Sequence, residues 1–309
     1  MGSSIARYQN ILMDSTRWDD IAFRDGDIVI SAPSKCGTTW TQMICALLIF
    51  QSTEFPRPLD AISVWPDYLL HLREEIVTEL TAQRHRRFMK THVPLDGLPY
   101  DERVTYICVG RDPRDVAISW DNHMANTNFP AVMALRAAVV EAEKADAPPP
   151  DPLPEQPESA QGRFWLWVDT SEGIVGLRPM LHHLSTFWRM RDRPNVVLLH
   201  YQEMQDDLEG VMRRLAARLG IEVPEEKWPE LVRAAGFGEM RNRADELAPE
   251  ARVWIDRKQF FRRGASGQWR ELLDADDLRH YRDRVRELAG PRVADPELVN
   301  WVHREKIFP

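Results

Sequence analysis

Asp27-Ile28-Val29-Ile30-Ser31-Ala32-Pro33-Ser34-Lys35-Cys36-Gly37-Thr38-Thr39-Trp40 is an apolar, strand-like run that breaks at a proline and passes into a helical pattern. Trp40, Met43, Ile44, Leu47 and Leu48 recur at one-face helical spacing, which puts Gly37, Thr38 and Thr39 at a helix N-terminus. Such an end presents unpaired N–H groups and positive partial charge, so it suits an anion. A nucleoside triphosphatase loop has Lys directly after its last Gly, then a Ser or Thr for magnesium. Here Lys35 comes before Gly37, and Thr38 follows the glycine directly. That order keeps a cation and two hydroxyls at the anion and drops the magnesium arrangement. The bland alternative is a strand-turn-helix joint with an incidental lysine.

Working outward, the 309 residues are 43% hydrophobic and 28% charged, enough apolar material for a buried core. The net charge of −8 argues against a nucleic-acid partner, so an anionic ligand needs a local basic cluster. The run from Ile44 to Phe50 is too short to span a bilayer, and no charged-then-apolar leader opens the chain. Met1 to Ala6 lacks the Ser or Thr that N-myristoylation wants at the sixth position. Cys36, Cys45 and Cys108 sit inside strand and helix patterns and suggest no disulfide framework. The expectation is a cytoplasmic protein.

Residues 1–24 read as an ordered arm, followed by a turn at Arg24 to Asp27. Ser63 to Ala82 reads as one or two amphipathic helices, with Trp65, Leu69, Leu70 and Leu72 on the apolar side. Arg87 to Pro94 is a short strand that places Lys90 and His92 at or past its carboxyl end, where open α/β sheets bind ligands. Val104 to Val109 is a further strand, running into Gly110 and Arg111, with Asp112 as helix N-cap and Pro113 at the first helical position. Ala131 to Ala145 has helical composition. Residues 147–157 hold six prolines among acids, and the stretch 141–162 reads as a solvated loop or a lid. Asn195 to Tyr201 is a continuous apolar strand, and Asp206 to Leu219 a helix closed by Gly220. Repeated strand-turn-helix units imply one α/β domain over residues 1–309, a central parallel sheet flanked by helices. Phe260 to Trp269, cationic and punctuated by Gly264 and Gly267, reads as a second anion grip.

Taken together, Ser34 to Trp40, Lys90-Thr91-His92, Arg111 with Ser119, and Arg262-Arg263-Gly264 through Gly267 and Trp269 resemble the cytosolic-type sulfotransferase family. The resemblance spans most of the chain. It implies 3′-phosphoadenylyl sulfate (PAPS) as co-substrate, adenosine 3′,5′-bisphosphate as product, and no metal. It also implies a loop for the 5′-phosphosulfate formed by Lys35, Cys36, Gly37, Thr38 and Thr39, with Lys35 at the bridging oxygen. Lys90 is implied near the sulfuryl oxygens and His92 as the base for the acceptor hydroxyl. Arg111, Ser119, Arg262, Arg263 and Gly264 would hold the 3′-phosphate, and Trp40, Tyr201 and Phe237 the adenine.

Sulfuryl transfer needs in-line placement and neutralised charge on the leaving oxygen, which a helix N-terminus and a lysine supply. Histidine is the side chain whose ordinary pKa suits proton removal near neutrality. His71, His123, His182 and His183 are set aside as surface or packing residues, and no His-Glu-x-x-His spacing calls for zinc. Cys36 stands where the family usually has Ser, so oxidation there is one conceivable block on the loop. The apolar content of residues 63–72 and 120–190 favours a small hydrophobic hydroxyl acceptor such as a phenol, alcohol or glycolipid. A small-molecule kinase and a non-catalytic nucleotide-binding protein remain as alternatives, and the oligomeric state stays open.

Overall fold

Four short strands, β1 (Ile28–Ser31), β2 (Phe88–Thr91), β3 (Thr105–Gly110) and β4 (Val196–His200), pair in parallel in the order β2-β1-β3-β4. The computed structural model describes residues 5–144, 155–171, 173, 175–288 and 295–308. β1 and β2 are buried throughout, and β3 and β4 at all but one position each. Burial on both faces explains why these segments read as continuous apolar runs. Helix α1 (Thr38–Phe50) follows β1 and packs on β1 and β2, while the helix Leu177–Trp188 packs on β3 and β4. No helix among the described residues is long and apolar enough to cross a membrane.

The strand order positions everything that follows. From β1 the chain proceeds to β2 on one side, and from β3 to β4 on the other. Connections that diverge in this way open a crevice between the carboxyl ends of β1 and β3. At this edge Asp112 accepts from Arg114 N and Pro113 opens the helix Pro113–Ala125, while at the opposite edge Gly220 closes the helix Leu208–Leu219 at φ 63°.

Two expectations differ from the structure. Residues 63–72 are irregular, with helix confined to Leu59–Ile62 and Arg73–Ala82. Pro66 blocks helix propagation, and the segment is held by tertiary contacts instead. Trp65 stacks on Tyr68 at 4.1 Å, and Asp67 accepts from Trp18 Nε1 at 3.0 Å. The helix expected over Asp206 to Leu219 begins at Leu208, because Asp207 caps it by accepting from Gly210 N, and Tyr201, expected to end the strand, instead opens a separate short helix, Tyr201–Asp206. Of the proline-rich stretch 141–162, the first residues end the helix Phe129–Glu143 and the last begin the helix Ala160–Asp169. Residues 145–154, where the lid would lie, are outside the described residues, as are Met1 to Ser4.

A buried ion pair pins the start of β1 to the start of β2. Arg87 Nε donates to Asp27 Oδ1 at 2.9 Å and its Nη2 donates to Oδ2, with Arg87 3% and Asp27 1% exposed. Removing one partner strands the other charge in the interior, at about 3–5 kcal/mol. Arg87→Met should therefore lose stability of that order in urea unfolding, and a loss below about 1 kcal/mol would show the pair to be dispensable.

Candidate active site

The loop after β1 is strained and uncapped. Lys35 sits at φ 70° and Gly37 at φ 105°, a region that non-glycine residues enter at a cost of about 1–2 kcal/mol. At Gly37 an added Cβ would also come within 3.0 Å of the Tyr201 ring. No side chain caps α1, so its first N–H groups face the loop's concavity. Thr38 Oγ1 is buried without a hydrogen-bond partner, and so is Arg111 Nε. Orphaned polar atoms at a helix N-terminus fit an anionic ligand.

Arg111, one residue past β3, ties the pieces together. Its Nη1 donates to Lys35 O at 3.0 Å, its Nη2 to Ala265 O at 3.3 Å, and its guanidinium lies 4.1 Å over the Tyr201 ring. The cationic loop of the C-terminal third is anchored by Asp115, a buried residue in the first turn of the helix Pro113–Ala125. Asp115 accepts from Gly267 N at 2.7 Å and from Gln268 N at 2.9 Å, while Arg114 stacks on Trp269 at 3.9 Å. Gly264, at φ 59°, lies flat on the Phe237 ring, which any Cβ at that position would overlap. Trp40 Nε1 donates to Ala235 O at 2.8 Å, and its ring lies edge-on to Tyr201 at 5.3 Å.

Lys90 and His92 extend from the end of β2. His92 Nδ1 donates to Ala32 O at 2.7 Å, so a neutral ring leaves Nε2 as a free acceptor. Dehydration, then the Lys90 charge, lowers His92 to about 3. Lys90 lies 4.3 Å over the Trp65 ring and burial lowers it to about 8. Lys35 is lowered to about 7 by burial, with Arg111 and Lys90 adding repulsion.

One cavity of about 540 Å³ is lined by every residue given a catalytic or co-substrate role in the sequence except Cys36: Lys35, Gly37, Thr38, Thr39, Trp40, Lys90, His92, Arg111, Ser119, Tyr201, Phe237, Arg262, Arg263 and Gly264. Cys36 is fully buried beneath the loop, and burial pushes its thiol up to about 12, so the reactive thiolate that oxidation requires is suppressed. Arg262 donates to Gln268 and Arg263 pairs with Glu271 at 3.2 Å.

Sequence reasoning missed His123. Set aside as a surface or packing residue, it lines this cavity with Nδ1 3.1 Å from Lys35 Nζ. The signal was present: Asp115, Ser119 and His123 recur every fourth residue, so they share one face of the helix Pro113–Ala125. Part of the remaining lining is apolar: a hydrophobic cluster separate from the main core, in which Tyr68, Val132 and Val253 are buried and Leu12, Trp65 and Trp254 pack against them.

A sequence profile described as Sulfotransferase domain matches residues 25–291. The glycolipid sulfotransferase of Mycobacterium bovis (strain BCG / Pasteur 1173P2) is 42% identical over 311 residues, covering 96% of this chain and 93% of the relative. Sulfotransferase 1E1 of Cavia porcellus is 25% identical, covering 87% of each chain. Among solved structures, retinol dehydratase in complex with androsterone and the inactive cofactor PAP superposes with a TM-score of 0.66 at 20% identity. That likeness covers 90% of this chain and 87% of that one.

The buried histidines make stability depend on pH. His92 and His183 are both lowered to about 3, first by burial, whereas the unfolded chain takes up protons near the ordinary value of about 6.5. Between those values the unfolded state binds more protons, so this contribution is fully present above about pH 6.5 and is lost as pH falls toward 3. Each such histidine adds a slope of up to about 1.4 kcal/mol per pH unit. In denaturant unfolding between pH 6.5 and 4.5, His92→Asn should show a shallower slope than the parent. An equal slope would mean that His92 titrates freely in the fold.

Proposed function

Since the chain belongs to the sulfotransferase family, we propose that it carries a sulfuryl group from PAPS to a hydroxyl of a hydrophobic acceptor of glycolipid type. The products are a sulfate ester and adenosine 3′,5′-bisphosphate. The observation that carries the reading is the position of His92: its acceptor nitrogen shares one cavity with Lys35 and Lys90, between an uncapped helix N-terminus and an aromatic wall. Family membership decides against the kinase alternative.

The co-substrate supplies a sulfuryl group already bonded to a phosphate oxygen able to leave. His92 Nε2 takes the acceptor's hydroxyl proton as that oxygen bonds to sulfur. The bond from sulfur to the 5′-phosphate oxygen breaks, and its electron pair stays on the phosphate. Lys35 and the N-terminus of α1 offset the charge that accumulates there, while Lys90 faces the sulfuryl oxygens. The orphaned Arg111 Nε and Thr38 Oγ1 supply donors for the two phosphate positions. Ser119, Arg262, Arg263 and Gly264 join Arg111 at the 3′-phosphate, and Trp40, Tyr201 and Phe237 flank the adenine.

A glycolipid-type acceptor is supported by the similar mycobacterial enzyme and by the apolar wall reaching Trp65, whose ring is edge-on to His92 at 5.1 Å. An apolar tail fits such a wall. A cytoplasmic location is supported by three buried, unpaired cysteines of the kind a reducing compartment maintains.

A mass-spectrometric screen with PAPS against phenols, sterol-like alcohols and glycolipids, run beside Lys35→Ala, tests the reading. Sulfation of a glycolipid that Lys35→Ala abolishes is the expected result, and sulfation confined to small polar alcohols would refute the acceptor class. His92→Ala should cut turnover by about 10²–10⁴-fold while bisphosphate affinity stays within a few-fold. Loss of binding instead would make the histidine structural. Arg111→Ala should weaken adenosine 3′,5′-bisphosphate by about 10–100-fold and 5′-adenylate far less, and equal weakening would overturn its assignment to the 3′-phosphate.

A further inference from the structure

Lys35 is a long side chain on a strained loop, and nothing in the loop itself fixes where its ammonium goes. Among the described residues no carboxylate lies within ion-pairing distance of it. Its hydrogen-bond partner is His123 Nδ1 at 3.1 Å, with the Phe260 ring 5.1 Å away. His123 is itself held on two sides: Trp120 stacks on it at 5.4 Å and Trp254 meets it edge-on at 5.0 Å. The imidazole is thus a rigid acceptor pointed at a flexible cation.

The two cavity histidines are set in opposite senses. His92 uses Nδ1–H on a backbone carbonyl and keeps Nε2 open. With Lys35 charged, His123 must present the lone pair of Nδ1 and carry its proton on Nε2. The neutral form this requires is the one the surroundings enforce, since burial first, then the charges of Lys35 and Lys90, hold His123 well below its ordinary pKa.

We propose that His123 is a positioning residue for sulfuryl transfer, fixing the Lys35 ammonium at the border between the phosphate loop and the apolar wall. Without it the lysine keeps its charge and its loop but loses its aim, and an error of an ångström in such a group costs about 10²-fold in rate. This inference rests on the assignment of Lys35 to the leaving oxygen.

The test needs no identified acceptor, because release of adenosine 3′,5′-bisphosphate from PAPS with water as the sulfuryl acceptor reads the same step. His123→Phe keeps an aromatic ring between Trp120 and Trp254 and removes the acceptor nitrogen. His123→Asn offers an amide oxygen close to where Nδ1 stood. The expected result is at least a tenfold fall in turnover for His123→Phe, recovery to within a few-fold for His123→Asn, and bisphosphate affinity within twofold in both. Combined with Lys35→Ala, His123→Phe should add no further loss. Equal losses in the Phe and Asn variants, or a full additional loss on the Lys35→Ala background, would overturn the proposal and leave His123 as packing. Wild-type turnover in Lys35→Ala alone would overturn the Lys35 assignment itself, and the inference with it.

Discussion

Positive charge at the carboxyl edge of the sheet is the constraint on which the rest depends. Lys90 and Arg111 are buried and Lys35 is partly buried, all on one cavity, and none of them has a carboxylate within ion-pairing distance among the described residues. Arg111 spends its donors on backbone carbonyls, Lys35 on a neutral imidazole, and Lys90 rests on an indole face. Charges held in this way are expensive to dehydrate, and the depressed pKa values of the two lysines register that cost. A dianionic ligand offsets it, so affinity for phosphate and sulfate groups follows from what the protein leaves unpaired.

The fold tolerates the arrangement because its own acids are used elsewhere. Asp27 is consumed by Arg87, Asp112 by Arg114, and Asp115 by the amides of Gly267 and Gln268. Burial raises the Asp115 carboxyl, yet it accepts two backbone N–H groups and so clamps the cationic loop over the crevice. The same face of the helix that carries this clamp brings Ser119 and His123 to the cavity. A net charge of −8 on the whole chain is therefore compatible with a locally cationic pocket.

What was legible in the sequence was local. The loop from Ser34 to Trp40, the strand-end pair Lys90 and His92, and the Asp112-Pro113 helix start all follow from a few adjacent residues, because backbone turn chemistry and strand ends are short-range properties. The parallel sheet followed from three apolar runs, although the order β2-β1-β3-β4 did not, since strand neighbours are chosen by long-range packing. Residues 63–72 were misread because their apolar spacing matches a helix, whereas Pro66 and the stacking of Trp65 on Tyr68 decide their conformation. His123 was passed over because its significance lies in a partner 88 residues away. Its spacing from Ser119 was visible, but only the fold says which helix face meets the loop. Trp269, counted with the anion grip, proves to be the ring against which Arg114 stacks.

The aromatic wall explains how one cavity can hold a base and several cations without quenching them. Each reactive group touches a ring: Lys90 and His92 meet Trp65, Lys35 meets Phe260, and His123 meets Trp254. Rings attract cations through their faces without accepting a proton, so Lys35 and Lys90 are steadied and stay acidic enough to donate. Burial beside the Trp65 ring, then the Lys90 charge, lowers His92 to about 3, which keeps it unprotonated at neutral pH. In the role proposed for it, His92 takes the proton as the acceptor oxygen becomes acidic, which happens as that oxygen's bond to sulfur forms. In the proposed mechanism proton removal is thereby tied to sulfuryl transfer, and a hydroxyl that enters without a correctly placed sulfur keeps its proton.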